Sequence, residues 1–293
     1  MDRGGRQPGP IHQDTGDAHV ISVVVLTHNE AINIERCLSS VSWADDVLVV
    51  DSGSTDGTQE RAKAMGARVM YRPFDHFAGQ RNFALDEGGL RHDWVLHLDA
   101  DEEASEELKA QIQAVVAQGD SAKPGWRVPS RLMLLGQWLR RSGMYPTYQV
   151  RFGRKDQLRF IMVGHGQREA LAPEQLGTFT GHLVHHNFSK GISDWLIKHA
   201  KYARAEAELA LAQERSARSP PLRLNDRTEF RRWLKHQSAR LPARPLLRFL
   251  YVYLVQLGAL DGRAGLRYAL LMAVYQWATD LNRLEMARAK SNT

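Results

Sequence analysis

Three apolar runs in the first hundred residues each end in a polar cluster, and that repeated junction restricts the fold more than any other feature of the chain. VISVVVL (20–26) leads into THNE, DVLVV (46–50) into DSGSTDGT, and WVLHL (94–98) into DADE. Runs this short and β-branched suit buried parallel strands. Helical patterns separate them. Ile34, Cys37, Leu38 and Val41 share one face, a second helix stops at Gly66, and residues 78–86 read as a third, with ARVMY (67–71) as a further strand. Alternating strands and helices predict an α/β fold whose ligands sit at the carboxyl ends of a mostly parallel sheet. Scattered polar residues would not choose that edge three times.

The acidic run after the fourth strand predicts a helix reaching about Ala117. From Gly125 to Phe188 the periodicity weakens into short strand-like pieces. Residues 189–217 then read as a helix broken at Ser219-Pro220-Pro221, and two apolar helices follow at 244–257 and 264–286. Residues 1–19 are polar and rich in Gly and Pro, which predicts a disordered leader. The domain expectation is a catalytic unit over 20–190, with a nucleotide-binding half (20–120) and an acceptor half (121–190), then a helical extension over 191–293.

One cysteine, Cys37, excludes a disulfide framework or multi-cysteine metal site within this chain. The net charge is +6, yet residues 201–248 carry 12 Lys/Arg against 5 Asp/Glu, which leaves the remainder near neutral. The apolar runs Phe249–Leu260 and Tyr268–Thr279 are 12 residues each, against roughly 20 needed to span a bilayer. Leu247, Leu250, Leu254 and Leu257 recur at helical spacing. Such a face packs on protein, either the catalytic unit or a second subunit, or docks on a membrane, where the basic stretch would meet anionic headgroups.

Asp99 and Asp101 flank one alanine just past a strand. In an extended segment they would share one side, where two carboxylates call for a cation. Hard oxygen ligands favour Mg²⁺ or Mn²⁺, ions that bridge to substrate phosphates. Glu102, Glu103, Glu106 and Glu107 are explained by a helix N-terminus. Asp51, at a strand end, could accept from a base N–H or ribose hydroxyls, while Ser54 and Asp56 read as turn or cap residues.

Taken in order, VVVLTHNEAINIERCLSSV, DDVLVVDSGSTDGT, GQRNFAL and WVLHLDADE resemble the family 2 glycosyltransferases, whose members have the GT-A nucleotide-diphospho-sugar transferase fold. The match covers about residues 20–120. VGHGQREAL, LVHHNFSKGISDWLIKHAKYARAEA and the C-terminal RPLLRFLYVYLVQLGALDGRAGLRYALLMAVYQ look like the bacterial branch containing the lipopolysaccharide core glucosyltransferases. The resemblance implies inverting transfer from a nucleotide sugar, a UDP-sugar above all, to a lipopolysaccharide, exopolysaccharide or lipid-linked saccharide. It implies a cytoplasmic enzyme at the inner face of the bacterial membrane, touching it through 201–286.

By position in the motifs, Thr27, Asn29, Glu30 and Asp51 would line the nucleoside pocket and Arg81 would lie near base and phosphate. Asp101 would be the main metal ligand, and Asp99 would hold ribose or support the metal. Ser52 departs from the pattern, since many members carry a second acid there, and this weakens the expected carboxylate contact to the base. Inversion needs a general base. The family pattern points to Glu169 in HGQRE, with His165 next, whereas Asp194 reads as a helix cap or surface acid. His182, His185 and His186 read as strand or substrate-pocket residues without a metal role, and Arg151 and Arg154 as groups facing diphosphate, an anionic acceptor or solvent. A sugar-phosphate nucleotidyltransferase is disfavoured because THNEAIN has neither glycines nor lysine. A nucleic-acid-binding protein is disfavoured because the basic segment carries no recognisable binding motif.

Overall fold

The computed structural model describes residues 21–119, 122–163, 166–215 and 243–291. The expected leader, His165 and the middle of the basic segment lie outside them. The first half runs β1 (Ile21–Thr27), α1 (Ile34–Ser40), β2 (Asp46–Asp51), α2 (Thr58–Ala64), β3 (Arg68–Tyr71), α3 (Phe77–Glu87) and β4 (Trp94–Asp99). It continues through β5 (Glu102–Ala104), α4 (Glu106–Val116), β6 (Gly125–Leu134), β7 (Gln137–Trp138) and β8 (Thr147–Arg154). A hairpin of β9 (Phe160–Val163) and β10 (Gly166–Glu169), then β11 (Leu176–Thr178) and β12 (Leu183–His185), complete the strands. The last helices are α5 (Ile192–Arg215), α6 (Arg244–Leu250) and α7 (Gly262–Ser291).

The main sheet has the order β3-β2-β1-β4-β8-β6-β12-β5. Its first four strands are parallel, as expected. β1 goes out to β2 and β3 on one side, and β4 returns on the other. The order therefore reverses between β1 and β4, and a crevice opens at their carboxyl ends. Thr27 and Asp99 end the two strands that border it.

Both faces of this half are covered, which is why the strands read as continuous apolar runs. Val23, Val25, Leu96 and Leu98 pack against Cys37, Leu38, Leu108 and Ile112 of α1 and α4. Val24, Leu26, Val50 and Val95 pack against Ala84 and Leu85 of α3. Truncating a fully buried side chain such as Leu96 to Ala would cost about 2–5 kcal/mol. A third cluster, with Leu134, Leu139, Trp195, Val252 and Met272, joins α5 and α7 to the far end of the sheet.

Two expectations need correction. The acidic run does not open a helix directly. Glu102–Ala104 form β5, which pairs antiparallel with β12, and α4 begins only after Ser105, whose hydroxyl accepts from the Leu108 N–H at 3.2 Å. The expected helix 244–257 is also shorter. α6 ends at Leu250, a π turn covers Tyr251–Val255, and a 3₁₀ turn at Gly258–Asp261 leads into the 30-residue α7. Among the described residues, no helix is long and apolar enough to cross a membrane.

Candidate active site at the carboxyl edge of the sheet

The loops after β1 and β2 are zipped together. Asn29 adopts a left-handed backbone (φ 54°), which turns its N–H to Ser54 Oγ at 2.8 Å and its Oδ1 to the Thr55 N–H at 2.8 Å. The Glu30 N–H donates to Thr58 Oγ1 at 2.8 Å, and the Ala31 N–H to Asp56 at 3.0 Å. Asp51 is fully buried and accepts from the Gly53 and Ser54 N–H groups, the Ser54 hydroxyl and Gln59 Nε2. Its carboxylate shapes the loop through these bonds, whereas the expectation from sequence was a contact to the donor nucleoside. Asn29 has the same shaping role.

A cleft of about 470 Å³ lies above this edge, within the usual size of a small-molecule site. Thr27, Glu30 and Ser52 line one side, Phe74, Phe77 and Gln80 another, and Asp99 and Asp101 the floor. The loop after β12 and the start of α5 close it with His185, Lys190, Asp194 and Lys198. Lys190 pairs with Glu30 at 2.6 Å, and buried Asn33 donates to Glu30 at 2.6 Å and Ser189 at 2.8 Å. These contacts tie the β1 loop to the far wall. Burial pushes the Glu30 carboxyl up, although Lys190 and Asn33 oppose it.

The two aspartates do not act as one pair. The chain turns at Ala100–Asp101, so the extended-segment alternation fails there. Asp99 is gripped from behind, by Arg81 Nη2 at 2.6 Å on one oxygen and Arg151 Nη2 at 2.6 Å on the other. Arg151 also meets Glu102 at 2.9 Å, and Glu102 accepts the Asp99 N–H at 2.9 Å. Desolvation first and the Asp99 charge second push the Glu102 carboxyl up. Arg81 is wholly buried, its guanidinium against the Phe160 ring at 5.7 Å, and it is not a cleft residue. Sequence placed Arg81 near base and phosphate; in the structure its guanidinium supports Asp99. Arg151 is likewise internal, and Arg154 lies over Trp94 at 4.8 Å.

Asp101 faces His185, with Oδ2 and Nε2 3.2 Å apart. Burial raises the Asp101 pKa, but the His185 charge outweighs it and holds the carboxyl down to about 2. Burial lowers His185, and Asp101 outweighs that in turn, pushing the imidazole up to about 9. One carboxylate and one imidazole fit a divalent cation held chiefly by substrate phosphate and water. Among the described residues no group of three or more His, Cys, Asp or Glu could hold a metal unaided. The sequence pattern assigns His185 no metal role, and its place as the last residue of the strand LVH is the signal that marks it. Glu103 is drawn away by Arg36 at 2.9 Å, and His186 pairs with Glu103.

Glu169 sits at the end of β10, in the hairpin packed on α3, and does not line the cleft. Asp194 does line it, in the first turn of α5, and is solvent-exposed.

The model of the family described as "Glycosyl transferase family 2" matches residues 22–167. The lipopolysaccharide core biosynthesis glycosyltransferase LpsC of Rhizobium meliloti is 30% identical over 203 residues, covering 64% of this chain and 70% of that protein. This chain belongs to glycosyltransferase family 2. An uncharacterized glycosyltransferase of Rickettsia bellii is 46% identical over 98 residues, so the match spans 33% of this family 2 chain and a third of that relative's length. Glucosyl-3-phosphoglycerate synthase from Mycobacterium tuberculosis, solved with Mn²⁺ and UDP-glucose, aligns at 19% identity and a TM-score of 0.44, over 72% of this chain and 84% of that one.

Proposed function

We propose that the chain transfers a glycosyl group, with inversion, from a nucleoside-diphosphate sugar, a UDP-sugar first, to a hydroxyl of a cell-envelope glycan or glycolipid. The observation that carries this reading is the Asp101–His185 pair, set in the cleft at the point where the strand order reverses. Asp101 and His185 would hold a divalent cation. The imidazole tilts the choice from Mg²⁺, which takes oxygen ligands, toward Mn²⁺. When bound, the cation supplies charge neutralisation to the leaving diphosphate.

The chain's own residues divide the remaining work. Thr27, Glu30 and Ser52 form the nucleoside side of the cleft. The Thr27 hydroxyl is buried without a partner and is free to meet a ligand. Lys198 faces Asp101 electrostatically and brings positive charge to the diphosphate. Asp99, locked by two arginines, keeps a fixed acceptor on the floor for ribose. For the base, Asp194 replaces Glu169, because a general base must reach the attacking hydroxyl. The acceptor oxygen attacks the anomeric carbon, its proton passes to the carboxylate, and the bond to the diphosphate oxygen breaks on the opposite face.

A membrane-surface location extends the reading. Leu266, Leu270, Val274, Trp277, Leu281 and Leu284 are exposed at spacings of three and four along α7. They form a single stripe, beside Arg263 and Arg267, suited to an anionic lipid surface carrying the acceptor.

Thermal shifts with a panel of nucleotide sugars and Mn²⁺ test the core of the proposal, since only a ligand of the native state raises the midpoint. Asp101→Asn and His185→Ala should each remove the Mn²⁺-dependent response to UDP. An unchanged response in both ends the metal assignment. Asp194→Asn should keep donor binding and lose about 10²–10⁴-fold in transfer. If Glu169→Gln shows that pattern and Asp194→Asn does not, the base belongs to the hairpin.

A further inference from the structure

Away from the cleft, β6, β7 and the segment before β8 assemble a second polar surface that the transfer chemistry does not use. The Arg131 guanidinium lies over the Trp138 ring at 4.4 Å and near the Tyr145 ring at 5.9 Å. Arg140 approaches the same Trp138 ring at 5.6 Å, and Trp138 and Tyr145 meet edge to face at 5.0 Å. Neither arginine has a hydrogen bond or ion pair with a carboxylate among the described residues. Arg131 Nε and Trp138 Nε1 are buried donors without acceptors. Buried donors of this kind ordinarily find a partner, and leaving one unmade costs about 1–3 kcal/mol.

The surface is held in place. Buried Asp261 accepts from the Arg141 N–H, the Ser142 N–H and the Ser142 hydroxyl, which pins the segment following Arg140 to the C-terminal helices. Leu132, the neighbour of Arg131, pairs in register with His185 of the cleft. Arg131 itself pairs with Val184, so its side chain leaves the opposite face of the sheet from that of His185, with both residues near the carboxyl edge of the parallel strands β6 and β12.

We infer that Arg131, Trp138, Arg140 and Tyr145 form an acceptor subsite for an anionic saccharide, a sugar bearing a phosphate or carboxylate group. Aromatic faces carry negative quadrupole and suit the C–H face of a sugar ring. Guanidinium groups match phosphate and carboxylate oxygens in a planar fork. The inference rests on the glycosyltransferase reading, because it assigns the surface to the acceptor.

Saturation-transfer NMR on the intact chain supplies the test, with mannose 6-phosphate, glucuronate, mannose and inorganic phosphate as probes. A parallel arm measures the UDP and Mn²⁺ thermal shift. Mannose 6-phosphate or glucuronate should bind more tightly than mannose or phosphate, and whichever binds identifies the anionic group. Arg131→Met and exposed Arg140→Met should each weaken that binding about tenfold, the equivalent of about 1.4 kcal/mol, with the UDP response intact. The subsite is overturned if both variants bind the charged sugars like the wild type, if mannose binds as well as its phosphate, or if phosphate alone binds as well. Loss of the UDP response in the wild type, with the sugar arms as expected, would overturn the donor reading and leave the saccharide site standing.

Discussion

Replacing Arg151 by Met should destabilise the fold by about 3 kcal/mol, the lower end of the cost of breaking a buried ion pair. Arg151 is 3% exposed in its side chain and Glu102 2%, so the substitution leaves Glu102 buried without its guanidinium partner. Two features hold the cost at the lower end. Burial and Asp99 already push the Glu102 carboxyl up to about 8, so taking a proton relieves the stranded charge at little expense near neutrality. Asp99, 30% exposed, also keeps its bond to Arg81 at 2.6 Å. For a domain of this size the loss corresponds to about 6–12 °C in Tm. Urea unfolding followed by tryptophan fluorescence would measure it, with Arg151→Met, Glu102→Gln and the double variant forming a cycle. The coupling energy should fall within about 0.5–3 kcal/mol and favour the double variant over the sum of the singles. A single variant within about 0.5 kcal/mol of the wild type, or an additive cycle, would refute the argument that these groups form one buried network.

Asp46 gives a pH-dependent counterpart at the opposite end of the sheet. Its side chain is fully buried, and although burial alone would raise it, bonds from the Arg91 N–H, the Ser22 hydroxyl and Arg68 hold its pKa below the usual value. A depressed carboxylate stabilises the fold above its unfolded pKa of about 3.9, and that contribution is lost as the pH falls through the lower folded value. Asp46→Asn should therefore be less stable than the wild type at pH 7, by about 1–3 kcal/mol, and the gap should narrow below pH 4; a gap constant across acid titration of the unfolding free energy would contradict it. On α7, replacing Leu270, Trp277 and Leu281 together by Gln should abolish co-flotation with phosphatidylglycerol vesicles while the UDP thermal shift persists. Equal flotation of wild type and variant, or equal binding to phosphatidylcholine, would remove the membrane reading.

What was legible in the sequence was the half of the molecule whose order is local. Each strand from β1 to β4 is followed by the loop or helix that serves it, so the apolar runs and their polar ends report the parallel sheet and its ligand edge directly. Individual site roles were less legible, because a carboxylate's availability depends on partners far along the chain. Asp51 looked like a ligand until its own turn claimed it, through residues only two to eight positions away. Asp99 looked like half of a metal pair, and its two guanidinium partners come from 18 and 52 residues away. Glu102 and Glu103 looked like a helix start because β12, the strand that pairs with them, lies some eighty residues on. The same pairing brings His185 to Asp101, 84 positions apart. A two-residue spacing such as Asp99 to Asp101 could not reveal that partner, whereas the sheet order does. Once β5 and β12 are placed side by side, the acidic run and the histidine run must face each other, and the proposed cation site rests on the strand pairing and no longer on the DADE motif alone.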